Sequence, residues 1–185
     1  MLGGVPTVPS DADADRALAA ARDALTAARD ELRERGVADE AVASVRSFRA
    51  LGPFRRQPVM VQTGRAWRLG VLLLGTDGSL AATAGLTRAL EPTRSQDLSL
   101  GVEARKDARR AASRGRFREG EPVHHGVVPL TLEDAVATSP DDADPFPGRL
   151  SRRGPEVLVQ WGPTARDLRA LAPYLRDRLD VLDLD

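Results

Sequence analysis

Few residues in this chain are suited to chemistry. His124 and His125, adjacent in the stretch GEPVHHGVVPL, are its only histidines. An imidazole titrates near neutral pH, so either could act as a general base or bind a metal. If PVHHGVVPL is a strand, neighbouring side chains point to opposite faces. His125 then lies with Val123 and Val127, and His124 with Gly126 and Val128. The two could not share one metal ion. With no cysteine in the chain, a zinc site would need carboxylates for its remaining ligands. No metal or cofactor is expected, and both histidines read first as structural or surface groups.

The second candidate is cationic. RKDARRAASRGRFRE, residues 105–119, holds seven basic residues and two acidic ones. Arg105, Arg109, Arg110, Arg114 and Arg116 could form an anion-binding or nucleic-acid-binding face. Phe117 is the only aromatic nearby, which argues against base stacking. Lys106 is the one lysine among 27 basic residues, so arginine is the default cation and its clustering carries little information. The glycines of GRFREG could bring backbone amides to an anion.

Several chemistries are excluded in their usual form. No G-x-x-x-x-G-K-[ST] loop and no G-x-S-x-G elbow occurs. Position 103, three before the single lysine, is Glu103 rather than serine. The absence of cysteine removes thiol nucleophiles, thiolate metal sites and disulfides.

The elements that must position these residues are legible in part. At 185 residues, with 42% hydrophobic content, the chain can bury a core without a covalent staple. Its 27 acidic residues balance its 27 basic ones, which argues against a whole-molecule affinity for nucleic acid or membrane. No apolar run approaches the roughly 20 residues of a membrane span. The start MLGGVPTVPS lacks the features of a signal peptide, so a cytoplasmic protein is expected.

Residues 1–10 read as a disordered arm and 11–185 as a single α+β domain. A long N-terminal helix should begin at Asp11–Asp15 and end at Gly36, with Leu18, Ala21, Leu25, Ala28 and Leu32 in one stripe. The Leu18, Leu25, Leu32 stripe is either internal packing or a homo-oligomer seam. A second helix is expected over 39–51, with Val42, Val45 and Phe48 inward and Gly52-Pro53 as its stop.

A meander follows over 58–83, with turns at Thr63-Gly64-Arg65 and at GTDGS. Residues 85–98 read as irregular, and Ser99 should cap a helix to about Arg114. GEPVHHGVVPL and EVLVQW are further strands, the latter with Val157, Val159 and Trp161 on one face. Residues 137–155 read as a proline-rich surface loop. Leu168, Leu171, Leu175, Leu179 and Leu182 form a closing helical stripe, with Pro173 at its start or at a kink. Tight turns imply antiparallel pairing, so the expected sheet has about five antiparallel strands with helices on one face.

The order RAWRLGVLLLGTDGSLAATAG, an arginine-rich helix, then FREGEPVHHGVVPL resembles a small, uncharacterised actinobacterial family. Some of its members carry the label glutaminase, which implies hydrolysis of the glutamine side-chain amide. The resemblance covers residues 55–132 and the closing strand and helix. Serine-type glutaminases use a Ser-x-x-Lys pair and amidotransferase-type ones a cysteine; both are absent here. The sequence therefore points first to a non-catalytic, self-associating or partner-binding protein. The alternatives are a glutaminase-like hydrolase or small-molecule binder using His124 or His125, and nucleic-acid binding through 105–118.

Overall fold

The structure, a computed structural model, describes residues 11–47, 57–90, 100–142 and 146–182. The expected arm at 1–10, Phe48 and the Gly52-Pro53 stop, residues 91–98, the Ser99 cap and the tail beyond Leu182 lie outside them. In chain order the elements are α1 (Asp11–Glu34), β1 (Glu40–Arg46), β2 (Val59–Leu69), β3 (Leu72–Gly75), β4 (Leu80–Ala82), β5 (Gly85–Arg88), α2 (Leu100–Ser113), β6 (Pro122–His125), β7 (Val128–Leu130), α3 (Leu132–Ala137), β8 (Leu150–Arg153), β9 (Glu156–Gln160), β10 (Leu168–Ala170) and α4 (Leu171–Val181). They form two compact units. The first comprises residues 11–36, 69–71 and 130–182; the second comprises 37–68 and 72–129.

The first unit is organised by α1. Asp11 and Asp13 favour its N-terminus, and Gly36 ends it at φ +64°. Ala17, Ala21, Leu25, Ala28 and Leu32 are buried along one stripe against α3, β9 and α4. Alanine at three of the five positions lets those elements approach closely. Leu25 and Leu32 are thus consumed by the unit's own core, and Leu18 is half-buried. The three-stranded sheet runs β10-β9-β8, antiparallel throughout. Its centre, Val157 to Gln160, is buried on both faces. Trp161, expected on the strand face of Val157 and Val159, follows the strand instead and is 51% exposed.

Two local expectations change in this unit. β8 lies within the proline-rich stretch 137–155, tied down by the Arg152 amide and guanidinium donating to the Thr138 and Val136 carbonyls. Leu168 belongs to β10 rather than to the closing helix, which begins at Leu171. Pro173 sits in that helix's first turn, where its missing N–H costs nothing. The buried Tyr174 hydroxyl donates to the Leu69 carbonyl at 3.0 Å and accepts from the Val71 amide at 2.9 Å. Gly70, at φ +64°, leaves room for it; a Cβ there would collide with the hydroxyl.

The second unit is a seven-stranded sheet in the order β5-β6-β1-β2-β3-β4-β7. It is mixed: β1 pairs antiparallel with β2 but parallel with β6. This corrects the expected five-stranded antiparallel sheet. Tight turns fix only sequential neighbours, whereas β1 and β6 meet across the intervening strands and α2. Over its described residues, 39–47, the helix expected over 39–51 is replaced by β1. EAVASVR satisfies both periods: Val42 and Val45 are three apart, but Ala41, Ala43 and Val45 also alternate. Pairing with strands on both sides decides in favour of the sheet.

The meander over 58–83 is present, with its first turn moved. Thr63-Gly64-Arg65 is inside the 11-residue β2, where the register shifts by one residue beside Val42. The chain reverses instead at Gly70-Val71. β3 is buried along its length, as expected of a central strand. β5 forms within the stretch read as irregular, and α2 occupies the expected range. α2 packs on the sheet through Ala111 and Ala112, against Ala41, Ala43, Met60, Ala89 and Val123, with Ala108 and Phe117 partly buried beside them.

Candidate functional site

Along β1 the face under α2 runs Ala41, Ala43, Val45. Ala41 and Ala43 are buried, whereas Val45 is 48% exposed. The core tapers because, among the described residues, the apolar side chains that α2 supplies on this side are the alanines Ala104, Ala108 and Ala111. Among the described residues no large side chain fills the space beyond them. A cavity of about 610 Å³ results, within the range of small-molecule sites. Its apolar wall is Val45, Pro58 and the three alanines; Gln57, Asp107, Arg110, Arg114 and His125 supply polar groups.

His125 enters the cavity from β6. Its cross-strand neighbours are Ala43 on β1 and Gly85 on β5. Both are small, which opens a slot for the ring. A Cβ on Gly85 would collide with the imidazole, so glycine here positions His125. Burial pushes the His125 pKa below the usual imidazole range, with a smaller contribution from His124. His125 is therefore neutral at pH 7 and offers one donor and one acceptor.

His124 occupies the opposite face, opposite Val42 and Leu86. It is buried, and its Nε2 hydrogen-bonds the Glu40 carboxylate; among the described residues its Nδ1 has no partner. The His124 hydrogen bond holds the Glu40 pKa below the usual carboxylate range against the opposing effect of burial, and Arg68 and Arg88 add to it. This pair lies outside the cavity lining. It fastens β6 to β1, which pair in parallel.

The five arginines do not form one face. Arg110 and Arg114 line the cavity. At about 100° per residue, Arg105 and Arg109 lie on a different side of α2, and Arg116 is beyond the helix end. Arg110 pairs with Asp107 at 3.0 Å, and Arg114 donates to the Pro58 carbonyl at 3.1 Å. The glycines of GRFREG do not cradle an anion. Gly115 N–H donates to Ala112 and Gly120 N–H to Ala89, so both amides are committed to backbone carbonyls.

Sequence reasoning missed Glu40, Val45 and Gly85. Glu40 and Val45 fell in the expected helix, where nothing pairs them with residues 80 positions away. Gly85 fell in the stretch read as irregular. A second cluster in this unit is structural: Arg65 donates to Asp39 and, at 2.9 Å, to Glu121, joining β2 to the segments that lead into β1 and β6. Among the described residues no group of three or more His, Asp or Glu is placed to hold a metal, and no helix is long and apolar enough to cross a membrane.

No family model matches the chain, and no curated protein or solved structure matches it.

Proposed function

We propose that this protein binds a small molecule in the cavity beside α2, without transforming it. The observation that carries the reading is the convergence at one apolar-walled cavity of His125 and two of the cationic candidates, Arg110 and Arg114. A few polar groups converging on an apolar concavity are the usual make-up of a ligand site. Among the described residues the lining includes no serine, threonine, cysteine or lysine. That composition supports binding rather than glutaminase-like hydrolysis. The split of the arginine run supports a local anion site rather than a nucleic-acid face.

The test is a fragment screen on the full chain by amide NMR, with Ala104→Trp as the blocking variant. Ala104 is exposed and lines the cavity, so a large ring there should fill space without disturbing the core. Hits should move the amides of Val45, Ala108 and His125, and should be lost in the variant. Hits that map elsewhere, or that survive the block, would refute the reading.

A second reading, partner binding or self-association, draws on Trp161 instead of the α1 stripe, which is buried. The loop after β9 is pinned: Asp167 accepts from the Thr164 amide and hydroxyl, and the buried Gln160 amide donates to the Gly162 and Thr164 carbonyls. A rigid loop presenting an exposed tryptophan suits a protein interface. Sedimentation velocity of the wild type against Trp161→Ser tests self-association; identical monomer profiles across the accessible concentration range would remove it.

A further inference from the structure

The cavity beside α2 is chemically polarised. Ala104 and Arg114 are ten residues apart, so the cavity extends along α2 for up to about 15 Å. Toward the helix N-terminus α2 lines it with Ala104 and Ala108, with Asp107 between them, and β1 contributes Val45. Val45 stands uncovered on an otherwise buried strand face, so an apolar group laid over it would gain burial. Toward the helix C-terminus stand two guanidinium groups, Arg110 and Arg114.

The charges there can be summed. Asp107 and Arg110 form a mutually compensating pair at 3.0 Å. Arg114 makes its described hydrogen bond to a neutral carbonyl, that of Pro58, through one of the guanidinium's five donors. His125 is neutral at pH 7. Among the described lining residues the charges therefore sum to one net positive, on a group whose planar fork matches a carboxylate. A phosphate monoester, at about −1.5 to −2, would bring more negative charge than the lining balances.

The geometry points to an amphipathic monoanion as the ligand: a small aliphatic or aryl carboxylate, its headgroup on Arg114 and its apolar body over Val45, Ala104 and Ala108. This inference rests on the small-molecule reading above and specifies it. The polar edge of His125, steadied by Gly85, adds one neutral hydrogen-bonding group to the lining.

The experiment is calorimetric titration of the full chain at pH 7 with decanoate, decanol and decyl phosphate, each below its micellar concentration. Decanoate should bind about tenfold or more tighter than decanol, as expected of a charge-assisted hydrogen bond. Arg114→Gln should reduce decanoate to the level of decanol and leave decanol unchanged. Arg114 is exposed, so the variant should fold, and its melting temperature checks this. Salt gives an independent readout: raising it from about 0.05 M to about 0.5 M should weaken decanoate and not decanol. Equal binding of decanoate and decanol, or tighter binding of decyl phosphate, would overturn the monoanion inference while leaving the cavity a ligand site. If none of the three binds but fragments still move Val45 and Ala108, the amphiphile assignment alone is overturned. If neither the probes nor fragments engage the cavity, the small-molecule reading itself fails.

Discussion

α1 and α2 are both amphipathic helices with alanine-rich inner faces, yet they do opposite things with that face. α1 adds Leu25 and Leu32 to its alanines, and all five stripe residues are buried. Among its described residues α2 brings only alanine to the sheet face; Ala111 and Ala112 close against it, while Ala104 and Ala108 border open space. Small side chains permit close approach in both cases. Whether the approach ends in a filled core or a cavity depends on whether leucines are interleaved.

The largest effect that would test this contrast is Leu32→Ala. Leu32 is fully buried, and its truncation should cost about 3–5 kcal/mol in urea denaturation. A loss under about 1.5 kcal/mol would mean that α1 is not packed as tightly as described. Next is a matched pair of enlargements. Ala28→Leu overfills a closed stripe and should cost about 1–3 kcal/mol. Ala108→Leu enters the cavity and should cost less than about 1 kcal/mol, or stabilise. Equal costs would contradict the contrast. Thr131→Ala removes the side-chain oxygen that accepts from the Asp134 amide at the start of α3, and should cost about 1 kcal/mol.

The smallest effects concern pH and separate the two histidines. The folded-state pKa of His125 is depressed, so below about pH 6.5 the unfolded chain takes up the proton first. Stability contributed there is lost as pH falls from that point toward the folded value. The Glu40 pKa is also depressed; its contribution is present above the unfolded carboxylate value of about 4.3 and is lost as pH falls through the folded one. Denaturation midpoints between pH 8 and 3 should therefore fall in two successive windows. His125→Asn should flatten the upper one and Glu40→Gln the lower one. Glu40→Gln flattening the upper window instead would show that the two sheet faces are not independent.

Much of the first unit was legible because local periodicity and core burial coincide there. The stripe from Ala21 to Leu32, the Gly36 stop and the strand EVLVQ each follow from spacing and turn chemistry. The errors in the second unit share one cause. Residues 39–51 carry both helical and strand periods, and only pairing with β2 and β6 selects between them. Thr63-Gly64-Arg65 has turn-like composition, but the strand absorbs it as an irregularity in register.

The candidate site divides in the same way. His125, Arg110 and Arg114 could be named in advance as capable residue types, but not that these three would meet while Arg105, Arg109 and Arg116 would not. Glu40 and Gly85 carried no signal at all, and Val45 was read only as an inward residue of a helix, whereas it is exposed on β1.

By itself, then, the sequence determined the α+β class, the long first helix, the position of α2 and the absence of cysteine and of a Ser-x-x-Lys pair, because these depend on residue type and on neighbours within a few positions. The tertiary structure decided the parallel β1–β6 pairing, the burial of His124 against Glu40 and the cavity that His125 enters. Those arise from contacts some 40 to 80 residues apart, whose partners are chosen by which faces remain uncovered once the local elements have formed.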